Sequence, residues 1–105
     1  MKIIVRHPDS RSGKKIALHA EKLLSRVLDG SRLTIDQIKI KLKMSAGVEG
    51  QPAYHCNIAV KLHSDDFVRA ETADSEGILA VYRAVDKVIF LLEQRLKSVK
   101  QQTRR

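Results

Sequence analysis

Gln37-Ile38-Lys39-Ile40-Lys41-Leu42-Lys43-Met44 sets apolar and cationic residues in strict alternation. A strand sends successive side chains to opposite faces, so Ile38, Ile40, Leu42 and Met44 share one face and Lys39, Lys41 and Lys43 the other. The spacing predicts a half-buried strand over 36–44. A second alternating run follows, with Tyr54, Cys56, Ile58, Val60 and Leu62 set against His55, Asn57, Ala59, Lys61 and His63. Between them, Ser45 to Pro52 contains Gly47, Gly50 and Pro52 and reads as a loop. A tight turn at Ser64-Asp65 leads into a weaker strand over 66–73.

Upstream, Ile3-Ile4-Val5-Arg6-His7 is rich in β-branched residues and stops at Pro8, which predicts a short first strand. Asp9 to Gly13 is turn chemistry, with Ser12 as the expected N-cap. From Lys14 to about Asp29, Ile16, Ala20, Leu23, Leu24, Val27 and Leu28 follow helical spacing, and Gly30 is the expected C-terminal stop. A closing helix opens at Ser75-Glu76, with an acid where the helix dipole favours one. Its residues Ile78, Tyr82, Val85, Ile89, Leu92, Leu96 and Val99 recur at alternating steps of four and three. Running to about Gln101, this helix would be about 39 Å long. A ten-residue strand spans about 33 Å, so the basic end of the helix is expected to project past the sheet.

The order is β-α-β-β-β-α, an α+β arrangement. The first β-α-β unit predicts a parallel pair with a right-handed crossover, and an antiparallel meander follows. Packing both helices on one face of a four-stranded mixed sheet buries every apolar stripe at once. One domain is expected over 1–101, with a basic tail over 102–105.

The chain has 105 residues, 20 Lys and Arg against 12 Asp and Glu, and a formal charge of +8. Such an excess favours a polyanionic partner. The charge is segregated: +7 over 1–48, −4 over 49–94 and +5 over 95–105. No apolar run nears the roughly 20 residues that span a bilayer, and the N-terminus lacks a secretory core, so no membrane partner is expected. A lone cysteine, Cys56, cannot form an internal disulfide and fits a reducing, cytoplasmic setting.

Three cationic features stand out. Lys15, His19, Lys22 and Arg26 fall along one stripe of the first helix, away from its apolar side, at a spacing suited to successive phosphates. Lys2, Arg6, Lys39, Lys41, Lys43, Lys61 and Arg69 are expected on the sheet face opposite the core. Lysines in such rows also guard sheets against aggregation, and RNA-reading sheets present stacking aromatics. Only Phe67 qualifies here, so the face reads as solubility or nonspecific attraction rather than base reading. The tail from Arg95 to Arg105 holds five cations and no acid. A solvated surface is the competing reading for each feature.

Catalytic signatures are lacking. Cys56 lies in the apolar row of a strand, where a buried structural thiol is the natural reading. His55 and His63 are about 26 Å apart along one strand, and no Cys or His spacing suits a metal. No glycine-rich phosphate loop occurs. No enzyme activity, cofactor, metal or small-molecule substrate is therefore expected.

The element order and the last helix together resemble the ribosome hibernation-promoting factor family, also called ribosome-associated inhibitors or sigma-factor modulation proteins, in a short and divergent form. The family's closing helix reads roughly D-M-Y-A-A-I-D, then K-L-E-R-Q-L-R-K-x-K. Here Tyr82, Ala84, Asp86, Leu92, Glu93, Leu96, Lys97 and Lys100 stand where that pattern expects them. The element order covers nearly the whole chain, whereas the residue match is confined mainly to this helix. Phe90 replaces a common acid, Leu91 and Gln94 replace a lysine and an arginine, and Arg95 returns one cation a position later.

The resemblance implies a bacterial-type factor that binds ribosomal RNA in the messenger and transfer RNA channel of the small ribosomal subunit. Such factors block initiation and preserve idle ribosomes under stress. It implies that Lys15, Lys22, Arg26, Arg83, Lys87, Lys97 and Lys100 contact RNA. Tyr82 and Asp86 would pack and bond at the helix–sheet junction. Phe90 and Leu91 lie off the apolar stripe and are expected to form a partner surface, a homodimer contact included. Two alternatives stand: a protein-interaction or self-associating module built on Phe90 and Leu91, and a generic double-stranded RNA-binding domain.

Overall fold

A computed structural model describes residues 2–30 and 34–103, and their side chains as far as residue 97. In chain order the elements are β1 (Lys2–Arg6), α1 (Arg11–Leu28), β2 (Ile35–Ala46), β3 (Pro52–Leu62), β4 (Phe67–Asp74) and α2 (Gly77–Thr103), with a single 3-10 turn at Val48–Gly50. The strands lie in the order β1-β2-β3-β4. β1 pairs with β2 in parallel, while the β2–β3 and β3–β4 pairs are antiparallel. This is the expected α+β fold, a four-stranded mixed sheet carrying both helices on one face.

Period-2 patterning decides which sheet face meets the helices. Ile38, Ile40, Leu42, Cys56, Ile58, Val60, Leu62, Val68 and Ala70 are buried, and with Ile16, Ala20, Leu24 and Leu28 of α1 they form one core. α2 lies over β3 and β4 and α1 over β1 and β2. β2 is longer than the alternation indicates. At its start a β-bulge shifts the register between Ile35 and Gln37, so Ile35 and Ile38 are both buried although three residues apart. A bulge inserts one residue and so reverses side-chain parity. At its far end Met44 is exposed.

The helix ends differ from expectation. Ser10, not Ser12, caps α1: its Oγ accepts from the Gly13 amide at 3.1 Å from an extended backbone. The C-cap is Asp29, whose amide bonds the Ser25 carbonyl at 3.1 Å, with a right-handed backbone. Gly30 has no positive φ, so it does not act as a left-handed stop. Val27 is exposed on α1, and Ala17 is buried in the core side instead.

In α2 the buried side is Gly77, Ala80, Val81, Ala84, Val85, Val88 and Leu92. Ile78 and Tyr82 are exposed, while Ile89 and Leu96 are half-buried. The apolar stripe is thus rotated toward small residues, because a helix lying flat on a sheet approaches closest where its side chains are short. Thr72 reinforces the contact by donating its hydroxyl to the Ala80 carbonyl at 2.5 Å. After Leu92 the side chains through residue 97 are exposed except half-buried Leu96, so the helix outruns the sheet as expected.

Candidate nucleic-acid interface

Ser10 fixes the start of α1, and Ile16, Ala20, Leu24 and Leu28 fix its rotation. Lys15, Lys22 and Arg26 consequently face solvent. Among the described residues, none of the three has a carboxylate within ion-pair distance. His19, on the same stripe, turns toward α2, where its Nε2 lies 3.1 Å from the Tyr82 hydroxyl. The two rings meet edge to face, 5.5 Å between centroids and 74° between planes. Tyr82 therefore sits at the seam between the helices, not at the helix–sheet junction. Asp86 is exposed and, among the described residues, takes no part in an ion pair.

The cations of α2 are arranged differently. Arg83 Nη1 lies 3.1 Å from Asp74 Oδ2, and Arg95 Nη1 lies 2.8 Å from Asp66 Oδ2. Between them, Lys87 Nζ donates to the Glu71 carbonyl at 3.2 Å. All three partners belong to β4 or the turn before it, so α2 is laced to the outer edge of the sheet. A bare strand edge invites further strand pairing, and these side chains cover it. Arg83 and Lys87 are thus not gathered with the α1 stripe. Lys97 is exposed on the overhanging part of α2. Lys100 lies outside the residues whose side chains are described, as does the tail over 102–105.

Phe90 is 58% exposed on the outer side of α2. Leu91 is half-buried and packs against the core, so the two residues expected to form a partner surface differ in exposure. Position 91 falls in the i, i+4 row of Lys87 and Arg95, which reach the β4 side, whereas position 90, about 100° round the helix, stays outward.

On the sheet face away from the helices, Lys2, Arg6, Lys39, Lys41, Lys43 and Arg69 are exposed and Lys61 is partly so. Lys61 Nζ lies 3.7 Å from Asp65, and the Arg69 guanidinium stands 5.2 Å from the Phe67 ring centroid. The seven cations expected there are all on that face.

Burial pushes the Cys56 thiol up to about 11, so it stays protonated and inaccessible near neutrality. His55 Nε2 sits 3.0 Å from Ser45 Oγ, and His63 Nδ1 lies 3.4 Å from Asp36. Among the described residues no group of three or more His, Cys, Asp or Glu could hold a metal ion, and no helix is long and apolar enough to cross a membrane. The His19–Tyr82 contact and the lacing of α2 to β4 have no signal in the sequence, since both join residues distant along the chain.

The described residues thus form a two-helix layer on a four-stranded sheet, with cations on both outer surfaces. The chain is similar in fold to a ribosomal subunit interface protein from Coxiella burnetii, with a TM-score of 0.66 and 17% sequence identity, covering 92% of this chain and 99% of that one. No family model matches the chain, and no curated protein matches it.

Proposed function

We propose that this protein is a ribosome-associated translation inhibitor. It occupies the messenger and transfer RNA channel of the small subunit in the cytoplasm, under conditions that idle the ribosome. The observation that carries this reading is the free cationic stripe Lys15, Lys22 and Arg26 on α1. Three cations with no internal acid can each displace a counterion from an RNA backbone. The fold likeness to a protein described as a ribosomal subunit interface protein supports the choice of ribosomal RNA. Lys97 and Lys100 extend the contact along α2. Arg83 and Lys87 add less, because the edge of β4 already holds them. Inhibition is steric and needs no catalytic group.

Cosedimentation with purified small subunits tests this directly. The protein should pellet with the subunit at low salt and leave it at high salt, each phosphate contact contributing about 0.7 to 0.9 to the log–log slope. Absence from the subunit fraction at low salt overturns the reading. A second reading, self-association through Phe90, is favoured by the exposure of that ring. It requires a concentration-dependent dimer in sedimentation velocity that Phe90→Asp abolishes.

A further inference from the structure

The sheet face away from the helices has a shape as well as a charge. Strand register aligns Ile4, Lys39, Ala59 and Arg69 in one cross-strand row and Arg6, Lys41, Asn57 and Glu71 in the next. Short side chains on β3, Ala59 and Asn57, thus lie between long cations on β2 and β4, and these two rows line a shallow concavity. Neighbouring strands are about 4.8 Å apart, so the trough from β2 to β4 is about 10 Å wide. Successive lysines on one face of β2 are about 6.6 Å apart. Within the two rows Glu71 is the single acid. Among the described residues, Lys39, Lys41 and Arg69 have no carboxylate within ion-pair distance.

Beside the trough, Phe67 is 44% exposed, with Arg69 stacked over its ring at 5.2 Å. Cationic grooves with a flanking aromatic are how proteins hold single strands without reading sequence: the groove follows the phosphates and the ring takes a base. A duplex keeps its bases stacked inside and has nothing to offer Phe67.

We propose that this face is a second RNA site, holding one single strand in the trough over β3, with phosphates against Lys39, Lys41 and Arg69 and a base on Phe67. The α1 stripe and the trough lie on opposite outer surfaces, so the protein bridges two RNA segments. The bridging rests on the ribosomal RNA reading above, whereas strand binding at the sheet stands apart from it.

Fluorescence anisotropy with a short labelled oligouridylate tests the site. Wild-type protein should bind at low salt. Replacing Lys39, Lys41 and Arg69 together by Gln should weaken binding at least about tenfold and lower the salt slope by about 2. Phe67→Leu should weaken it roughly 5- to 100-fold with the slope unchanged. Lys39→Arg with Lys41→Arg keeps the charge and should keep the affinity, which separates phosphate contact from damage to the fold. Replacing Lys15, Lys22 and Arg26 by Gln should leave oligouridylate binding within about twofold while releasing the protein from small subunits. Failure of the wild type to bind, wild-type affinity in either the triple Gln or the Phe67→Leu variant, or loss in the Lys-to-Arg variant overturns the sheet site. Each of these outcomes leaves cosedimentation with the subunit as a separate reading.

Discussion

The two helices carry similar cations and put them to different uses. α1 is anchored by Ile16, Leu24 and Leu28 together with Gly13, Ala17 and Ala20; it lies over β1 and β2, away from the acids of β4, and Lys15, Lys22 and Arg26 face water. α2 is anchored by Gly77, Ala80, Ala84 and valines, which bring it close enough for Arg83, Lys87 and Arg95 to reach the β4 edge. The difference teaches that the strands a helix covers govern what its outer cations can meet. A free cation is available to a polyanion. One already held at 2.8 to 3.1 Å from a carboxylate must first exchange that partner.

The contrast can be broken most forcefully at the α1 anchor. Leu24 is fully buried, so Leu24→Ala should cost about 2 to 5 kcal/mol, read by urea unfolding. A loss well below that range would mean α1 is not held by its large side chains. At the α2 anchor the change runs the other way. A Cβ on Gly77 would collide with Ile16 Cδ1 and press on the Tyr54 ring at 3.1 Å, so Gly77→Ala should destabilise by about 1 to 3 kcal/mol through overpacking. A neutral or stabilising effect would show that α2 does not depend on close approach. Smallest is the lacing itself. Arg83→Gln should cost about 0.2 to 1 kcal/mol, since the guanidinium is largely exposed and screened. The cost should shrink further at high salt, and a salt-independent loss would assign Arg83 a packing role instead.

A pH prediction concerns the core beneath both helices. The folded Cys56 thiol titrates at about 11 against an ordinary 9.0, so the folded state holds its proton longer than the unfolded chain does. Stability from this group is complete below pH 9 and declines as pH rises through 11. The stability difference between wild type and Cys56→Ala should narrow over that window, by about 2 to 3 kcal/mol at most. An unchanged difference would mean the thiol is not desolvated.

Much of the fold was legible in the sequence because strand parity is a local signal. The alternation through Ile38, Ile40 and Leu42, and again from Cys56 to Leu62, named the buried face before any packing was known. Ile35 was not legible, since the bulge beside it breaks the parity on which the reading depends. The inner side of α2 was read from its largest apolar residues, whereas close packing on a sheet selects the small ones, so Ile78 and Tyr82 lie outside. Leu91 lies off the expected stripe yet is half-buried, because the observed stripe is rotated round the helix. The α1 stripe was legible because an amphipathic helix shows its outer face in its own spacing. What held Arg83, Lys87 and Arg95 was not, because Asp74, Glu71 and Asp66 reach them only through the fold.

The central claim is that the free cations of α1, not the laced cations of α2, hold the protein on RNA. The salt dependence of binding to small subunits should therefore be measured for two variants in parallel. One replaces Lys15, Lys22 and Arg26 by Gln, and the other replaces Arg83, Lys87 and Arg95 by Gln. The first should lower the log–log slope by about 2 to 3 and the second by less than about 1. Equal slopes in the two variants, or the larger loss in the α2 variant, would contradict it.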